Sequence, residues 1–144
     1  MTPDIFDAPP LSKEDSLLSD LYASTGRPLD DLPYTEEFDQ LHGAFCRKYP
    51  GKSQRDVMER LFRLRKGGFL ARKGQALSNA IAIDEGDVNL LENLVRKYAG
   101  TLGQRDRLPY TPEFDKVRDE FNRATAGKPL DAHALWRLIA RIAK

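Results

Sequence analysis

Cysteine and long apolar runs are scarce in this chain of 144 residues. The single cysteine, Cys46, excludes an intramolecular disulfide and is typical of a reducing compartment, so we expect a cytoplasmic location. No apolar run approaches the ~20 residues that cross a bilayer, and no membrane partner is expected. Residues 1–10 have neither the basic nor the apolar region of a signal peptide, so none is expected.

The residue patterns of common catalytic and metal sites are also missing. The only histidines, His42 and His133, belong to no Cys/His cluster with zinc spacing, and we expect no metal site. No Gly-rich phosphate loop or nucleophile elbow is present. We therefore expect neither an enzyme nor a bound cofactor.

Strand patterns are nearly absent, because β-branched residues are few and never alternate with polar ones over a useful length. Hydrophobic residues make up 40% of the chain and charged residues 31%, as in an ordinary globular protein. Apolar residues instead recur at helical spacing. The sequence predicts an all-α helical bundle, with helices near 12–24, 35–49, 53–66, from 84 or 87 to 98, from 111 onwards and 131–144.

An eight-residue phrase occurs twice, as LPYTEEFD at 32–39 and LPYTPEFD at 108–115. In each copy the Thr predicts a helix N-cap, and acidic residues follow in the first turn. We expect the Leu or Tyr before the Thr to pack back on the Phe of its own helix as a hydrophobic staple. The alternative is that Tyr34 and Tyr110 form a docking surface.

Matching residues on both sides of the phrase predict two tandem, pseudo-equivalent three-helix units. Tyr22 matches Tyr98, and Phe45 matches Phe121. The predicted division is a mobile arm at 1–10, a first unit at 11–74, a linker at 75–86 and a second unit at 87–144. Because a unit of about 60 residues buries little core alone, we expect the units to share one core.

The net charge of +1 hides a strong asymmetry along the chain. Residues 1–40 contain ten acids and two bases, whereas residues 41–75 contain ten bases and two acids. Two interpretations follow. The acidic part pairs with the basic part within the molecule, or the two serve as electrostatic contacts for a partner or another copy.

The third predicted helix and the residues after it carry most of the positive charge. A short amphipathic helix after a tight turn, followed by Gly67, Gly68 and a brief basic extension, resembles winged-helix and helix-turn-helix DNA-binding modules over about residues 35–73. The resemblance implies a small wing-like hairpin near 67–74 and a basic helix face lying along the major groove. It also implies DNA contacts from six side chains, namely Arg55, Arg60, Arg63, Lys66, Arg72 and Lys73.

In that interpretation most of the six contact phosphates, and Arg60 or Arg63 is the best candidate for touching a base. The alternative for this helix is a solvated face whose charges serve solubility and suit the helix dipole. For the whole chain we expect a non-catalytic binding module for DNA. The second hypothesis is a protein–protein interaction adaptor or self-associating scaffold that uses the acidic N-terminal and basic central surfaces.

Overall fold

The computed structural model describes residues 11–71, 83–125, 127 and 129–143. Within these residues the secondary structure is entirely helical, without a strand, and the predicted all-α fold class is confirmed. The α-helices are α1 Lys13–Ser24, α2 Glu36–Lys48, α3 Gln54–Lys66, α4 Glu85–Ala99, α5 Pro112–Ala124 and α6 Ala132–Ile142.

A short polar side chain begins each of these α-helices. It accepts a hydrogen bond from the backbone N–H three residues on, which satisfies one of the amides that lack a partner in the first turn. For α4 this residue is Asp84 and not Asp87. The full set of caps is Ser12, Thr35, Ser53, Asp84, Thr111 and Asp131.

Both segments that precede the repeated phrases contain a short helix. By composition the acidic segment at 29–33 and the polar segment at 100–107 are expected to be loops, but the first contains the 3-10 helix Leu29–Asp31 and the second the 3-10 helix Leu102–Arg107. Leu29 in the first 3-10 helix is buried, as are Leu32 and Leu108 at the start of the two phrases, whereas the 3-10 helix Leu102–Arg107 contains no buried residue. Each 3-10 helix is therefore followed by a leucine that anchors the chain in the core.

Other predicted segments fall partly or wholly outside the described residues. The arm at 1–10 and most of the linker at 75–86 lie outside them, and α4 begins at Glu85, before the expected end of that linker. Of the wing-like hairpin near 67–74, residues 67–71 form a turn and an irregular stretch with no strand. Residues 72–74 are outside the described part.

Two sets of helices pack against each other through a single hydrophobic core. In the N-terminal half, residues 11–71, α1 packs on α2 and α3; in the C-terminal half, residues 83–143, α4 packs on α5 and α6. Each 3-10 helix crosses to the other half: the first contacts α6, and the second contacts α3. Buried side chains of all six α-helices belong to one cluster.

Tyr34 and Tyr110 join the two halves by a reciprocal contact that we call the tyrosine clasp. The backbone N–H of Tyr34 donates to the hydroxyl of Tyr110 at 2.5 Å, and the N–H of Tyr110 donates to the hydroxyl of Tyr34 at 2.6 Å. The two ring centroids are 4.3 Å apart. Burial raises the pKa of both hydroxyls above their ordinary value, so both remain protonated well into the alkaline range.

The clasp contradicts the tyrosine form of the expected hydrophobic staple. Tyr34 stacks on Phe114 with 4.7 Å between centroids, and Tyr110 stacks on Phe38 at 5.0 Å, so each ring packs on the helix of the other half. Both tyrosines have left-handed backbone conformations, with φ of 66° and 63°. Such values are uncommon outside glycine, and nothing in the composition of the phrase indicates them. The other form of the staple, in which Leu32 or Leu108 packs on the Phe of its own helix, stays a prediction.

The two copies of the phrase share the same local structure. In both, the Thr hydroxyl donates to the carbonyl of the Leu three residues earlier at 2.6 Å and accepts the N–H of the following Phe. Each copy follows a 3-10 helix and contains a left-handed tyrosine. This equivalence covers the phrases themselves, and duplication of the complete units stays a prediction.

A buried carboxylate gives the halves a second connection. The side chain of Asp31 has no solvent exposure and lies 2.9 Å from both Arg27 and Arg137. His133 Nε2 is 3.0 Å from the same carboxylate. Arg137 and His133 belong to α6, so Asp31 ties the first 3-10 helix to the last α-helix. A buried acid is tolerated here because several bases surround it.

We expect Asp31→Asn to lower the free energy of unfolding by about 3 kcal/mol or more, because it removes the charge that compensates the surrounding bases. Urea denaturation followed by circular dichroism measures the change. Asp119→Asn, at an exposed position on α5, is the control and should stay within about 0.5 kcal/mol of wild type. Near-identical stability of the two variants would contradict a structural role for Asp31.

Candidate nucleic-acid interface

The helix α3 begins with a capping box that fixes its start. The Ser53 hydroxyl accepts the N–H of Asp56 at 3.0 Å, and the Asp56 carboxylate accepts the N–H of Ser53 at 3.1 Å. The latter bond keeps the pKa of Asp56 below its usual range. One face of α3 enters the core through Val57, Met58, Leu61, Phe62 and Leu64.

Arg55 lies on α3 but is used inside the molecule. Its guanidinium donates to the backbone carbonyls of Asp106 and Pro109, at 2.9 Å each. Its Nε is also 3.5 Å from Glu59. Arg55 therefore holds α3 against the segment that leads into the second phrase, and most of its donors face protein acceptors.

Arg60 has acidic partners at the start of α1. Its Nη1 is 2.7 Å from Glu14, and its Nε is 2.7 Å from Asp15. Arg65, which sequence reasoning did not select, likewise contacts Asp30 at 2.9 Å and Asp106 at 3.4 Å. At these positions the acidic N-terminal part pairs with the basic central part within the molecule.

Arg63 and Lys66 differ from these arginines. Both side chains are exposed, and neither forms an ion pair with any residue that the structure describes. They are three residues apart, so they are neighbours on the surface of the last turn of α3. Positive charge is therefore available to a partner at the C-terminal end of this helix.

Arg63 also lines a shallow groove that continues toward the start of α3. The groove has a volume of about 200 Å³, and Arg60, Lys52, Asp56 and Glu59 are among the residues that line it. At 3.6 residues per turn, the four of these residues that belong to α3 fall on one side of the helix, and Lys52 lies just before the helix begins. We call this side of α3 the exposed strip. It is mixed in charge near the start of the helix, whereas Arg63 and Lys66 make it basic near the end.

The remaining two predicted contact residues, Arg72 and Lys73, lie outside the described residues. The structure thus brings Arg60 and Arg63 to one groove, places Lys66 beside Arg63 and directs Arg55 to internal acceptors. Sequence reasoning missed Lys52. Lys52 lies before the N-cap of α3, so the helical spacing of the basic residues does not indicate it.

The end of α3 is a glycine-containing Schellman turn. The N–H of Gly68 donates to the carbonyl of Arg65 at 3.0 Å, and the N–H of Phe69 donates to that of Leu64 at 2.9 Å. Gly68 has φ of 79°, the left-handed conformation this turn requires. Gly67 and Gly68 thus cap α3, and the turn fixes the direction in which the chain leaves the helix.

In the described part of the chain, no helix is long and apolar enough to cross a membrane. Within the same ranges, no group of three or more His, Cys, Asp or Glu side chains is arranged to hold a metal ion.

Comparison with known proteins finds no matching protein-family model, no similar curated protein and no similar solved structure.

Two arginines of α3 should respond differently to removal of their charge. We expect Arg55→Gln to cost about 1–3 kcal/mol of stability, because Gln cannot satisfy both carbonyl acceptors. Arg63→Gln is the matched control and should change stability by less than about 0.5 kcal/mol, because the side chain is exposed. Thermal and urea unfolding measure both. A larger loss for Arg63→Gln than for Arg55→Gln would contradict these assignments.

Proposed function

We propose that this chain is a non-catalytic module that binds DNA through the C-terminal end of α3. The observation that carries the proposal is the exposed pair Arg63 and Lys66, which has no carboxylate partner among the described residues. Exposed Arg and Lys side chains are the groups that most often contact phosphate oxygens. Neighbouring bases on one helical turn can contact neighbouring phosphates.

The acidic residues of α3 restrict where DNA approaches. Asp56 and Glu59 lie on the exposed strip near the helix start and would repel phosphates there. The Arg60 side chain is held by Glu14 and Asp15, which lower its net attraction for a phosphate. The proposed contact is therefore centred on the last turn of α3 and not along the whole helix, with Arg72 and Lys73 extending the basic sequence beyond it.

The competing hypothesis is an adaptor or self-associating scaffold that uses the acidic and basic surfaces. Three of the acids on which it depends, Glu14, Asp15 and Asp30, already lie against arginines of the same chain. A protein partner would have to replace these internal ion pairs. Because Arg63 and Lys66 require no such exchange, the geometry favours an anionic ligand over the adaptor.

The test is binding of fluorescein-labelled duplex and single-stranded DNA, measured by fluorescence anisotropy from about 50 to 200 mM salt. We expect affinity that falls steeply with salt, because bound phosphates release counterions. For Arg63→Gln/Lys66→Gln, the slope of log affinity against log salt with duplex DNA should be less steep by about 2, since two phosphate contacts are lost.

The control is Arg96→Gln/Lys116→Gln, which removes two exposed bases from α4 and α5 and changes net charge equally. It should keep a slope close to that of wild type. If the slope became less steep by the same amount in both double variants, net charge alone would attract DNA. This result would refute the proposed site. Absence of binding at low salt, together with a concentration-dependent mass in analytical ultracentrifugation, would favour the self-associating scaffold.

A further inference from the structure

Phe69 is exposed although it is large and apolar. It retains 37% of its surface, and no other large hydrophobic residue in the described part of the chain is exposed. A single exposed apolar side chain is common on protein surfaces and by itself indicates no contact. Phe69 is of interest because it is held in place directly after the basic end of α3.

The backbone holds Phe69 in place on both sides. Its N–H donates to the carbonyl of Leu64 at 2.9 Å, and its own carbonyl accepts a bond from the hydroxyl of Ser19 at 3.2 Å. The ring packs against Gly67, where an added Cβ would stand 2.7 Å from two ring carbons. Phe69 is thus a positioned aromatic group and not a side chain on a free loop.

The ring lies next to the proposed phosphate contacts. Gly67 follows Arg63 by four residues, so the two share one face of the helix, and the N–H of Gly67 donates to the carbonyl of Arg63. Lys66 directly precedes Gly67 in the chain. A ring packed on Gly67 therefore continues the exposed strip of α3 about one helical turn, or 5.4 Å, beyond Arg63.

We infer that this end of α3 binds single-stranded nucleic acid, with a base stacked on Phe69 and the adjoining phosphates on Arg63 and Lys66. The inference rests on the proposed function and names its substrate class. An aromatic ring beside a basic strip is the arrangement by which proteins hold unpaired bases without reading their sequence. In a duplex the bases are already stacked on each other, so the ring gains less from duplex DNA.

The experiment compares three labelled probes of about twelve nucleotides, a length within the range of single-strand sites. They are an oligothymidylate, an abasic strand with the same number of phosphates, and a duplex. Wild type should bind the oligothymidylate most tightly. Phe69→Ala should weaken that complex by about 5- to 140-fold, the range for loss of one stacked base, and should leave the abasic and duplex complexes within about twofold.

Two further variants separate stacking from other effects. Phe69→Tyr keeps an aromatic ring and should keep the affinity for oligothymidylate. Phe69→Leu keeps apolar surface without a ring and should lose that affinity. Circular dichroism should show all three variants folded, since the side chain is partly exposed. Equal binding of abasic and thymidine strands, or wild-type affinity in Phe69→Ala, would overturn the stacking role while leaving phosphate binding intact. Wild-type protein that binds none of the probes would overturn the proposed function together with this inference.

Discussion

The backbone amides of Tyr34 and Tyr110 sit in left-handed turns and donate to each other's side-chain hydroxyls across the molecule. A left-handed conformation costs about 1–2 kcal/mol per non-glycine residue, and a hydrogen bond contributes about 1 kcal/mol net, so these terms nearly cancel. Stacking of each ring on Phe38 or Phe114 adds about 0.5–1.5 kcal/mol per pair. The tyrosine clasp therefore fixes one arrangement of the halves, with a net stabilisation that comes from its stacked rings.

That arrangement decides which bases of α3 remain available. With the halves docked, Arg55 reaches the carbonyls of Asp106 and Pro109 in the other half. Arg60 is held within its own half by the first turn of α1. On α3, Arg63 and Lys66 are then the bases that have no acidic partner among the described residues. They lie beside the turn that positions Phe69. The candidate site is thus a consequence of how the rest of the charge is paired.

Helical periodicity and capping residues predicted the fold class and nearly all helix boundaries, because Ser, Thr and Asp before apolar stripes carry their signal locally. The clasp was not predictable, because it depends on two positive φ angles and on contacts between residues 76 apart.

The candidate site was predictable in part. Charge identified α3, but the choice between Arg55 and Arg63 required knowing which side chains meet acceptors from other segments. Nothing in the sequence around Phe69 indicates its exposure, which follows from the Schellman turn at the end of α3.

The most direct test of the clasp is exchange of individual backbone amide protons, measured by NMR in wild type, Tyr34→Phe and Tyr110→Phe. In wild type we expect slow exchange at both Tyr34 and Tyr110. Tyr110→Phe should accelerate exchange of the Tyr34 amide, and Tyr34→Phe that of the residue 110 amide. The amide of Phe38, bonded to Thr35, should remain protected in both. Rapid exchange of both tyrosine amides in wild type, or variants that accelerate only their own amide, would contradict reciprocal pairing across the halves.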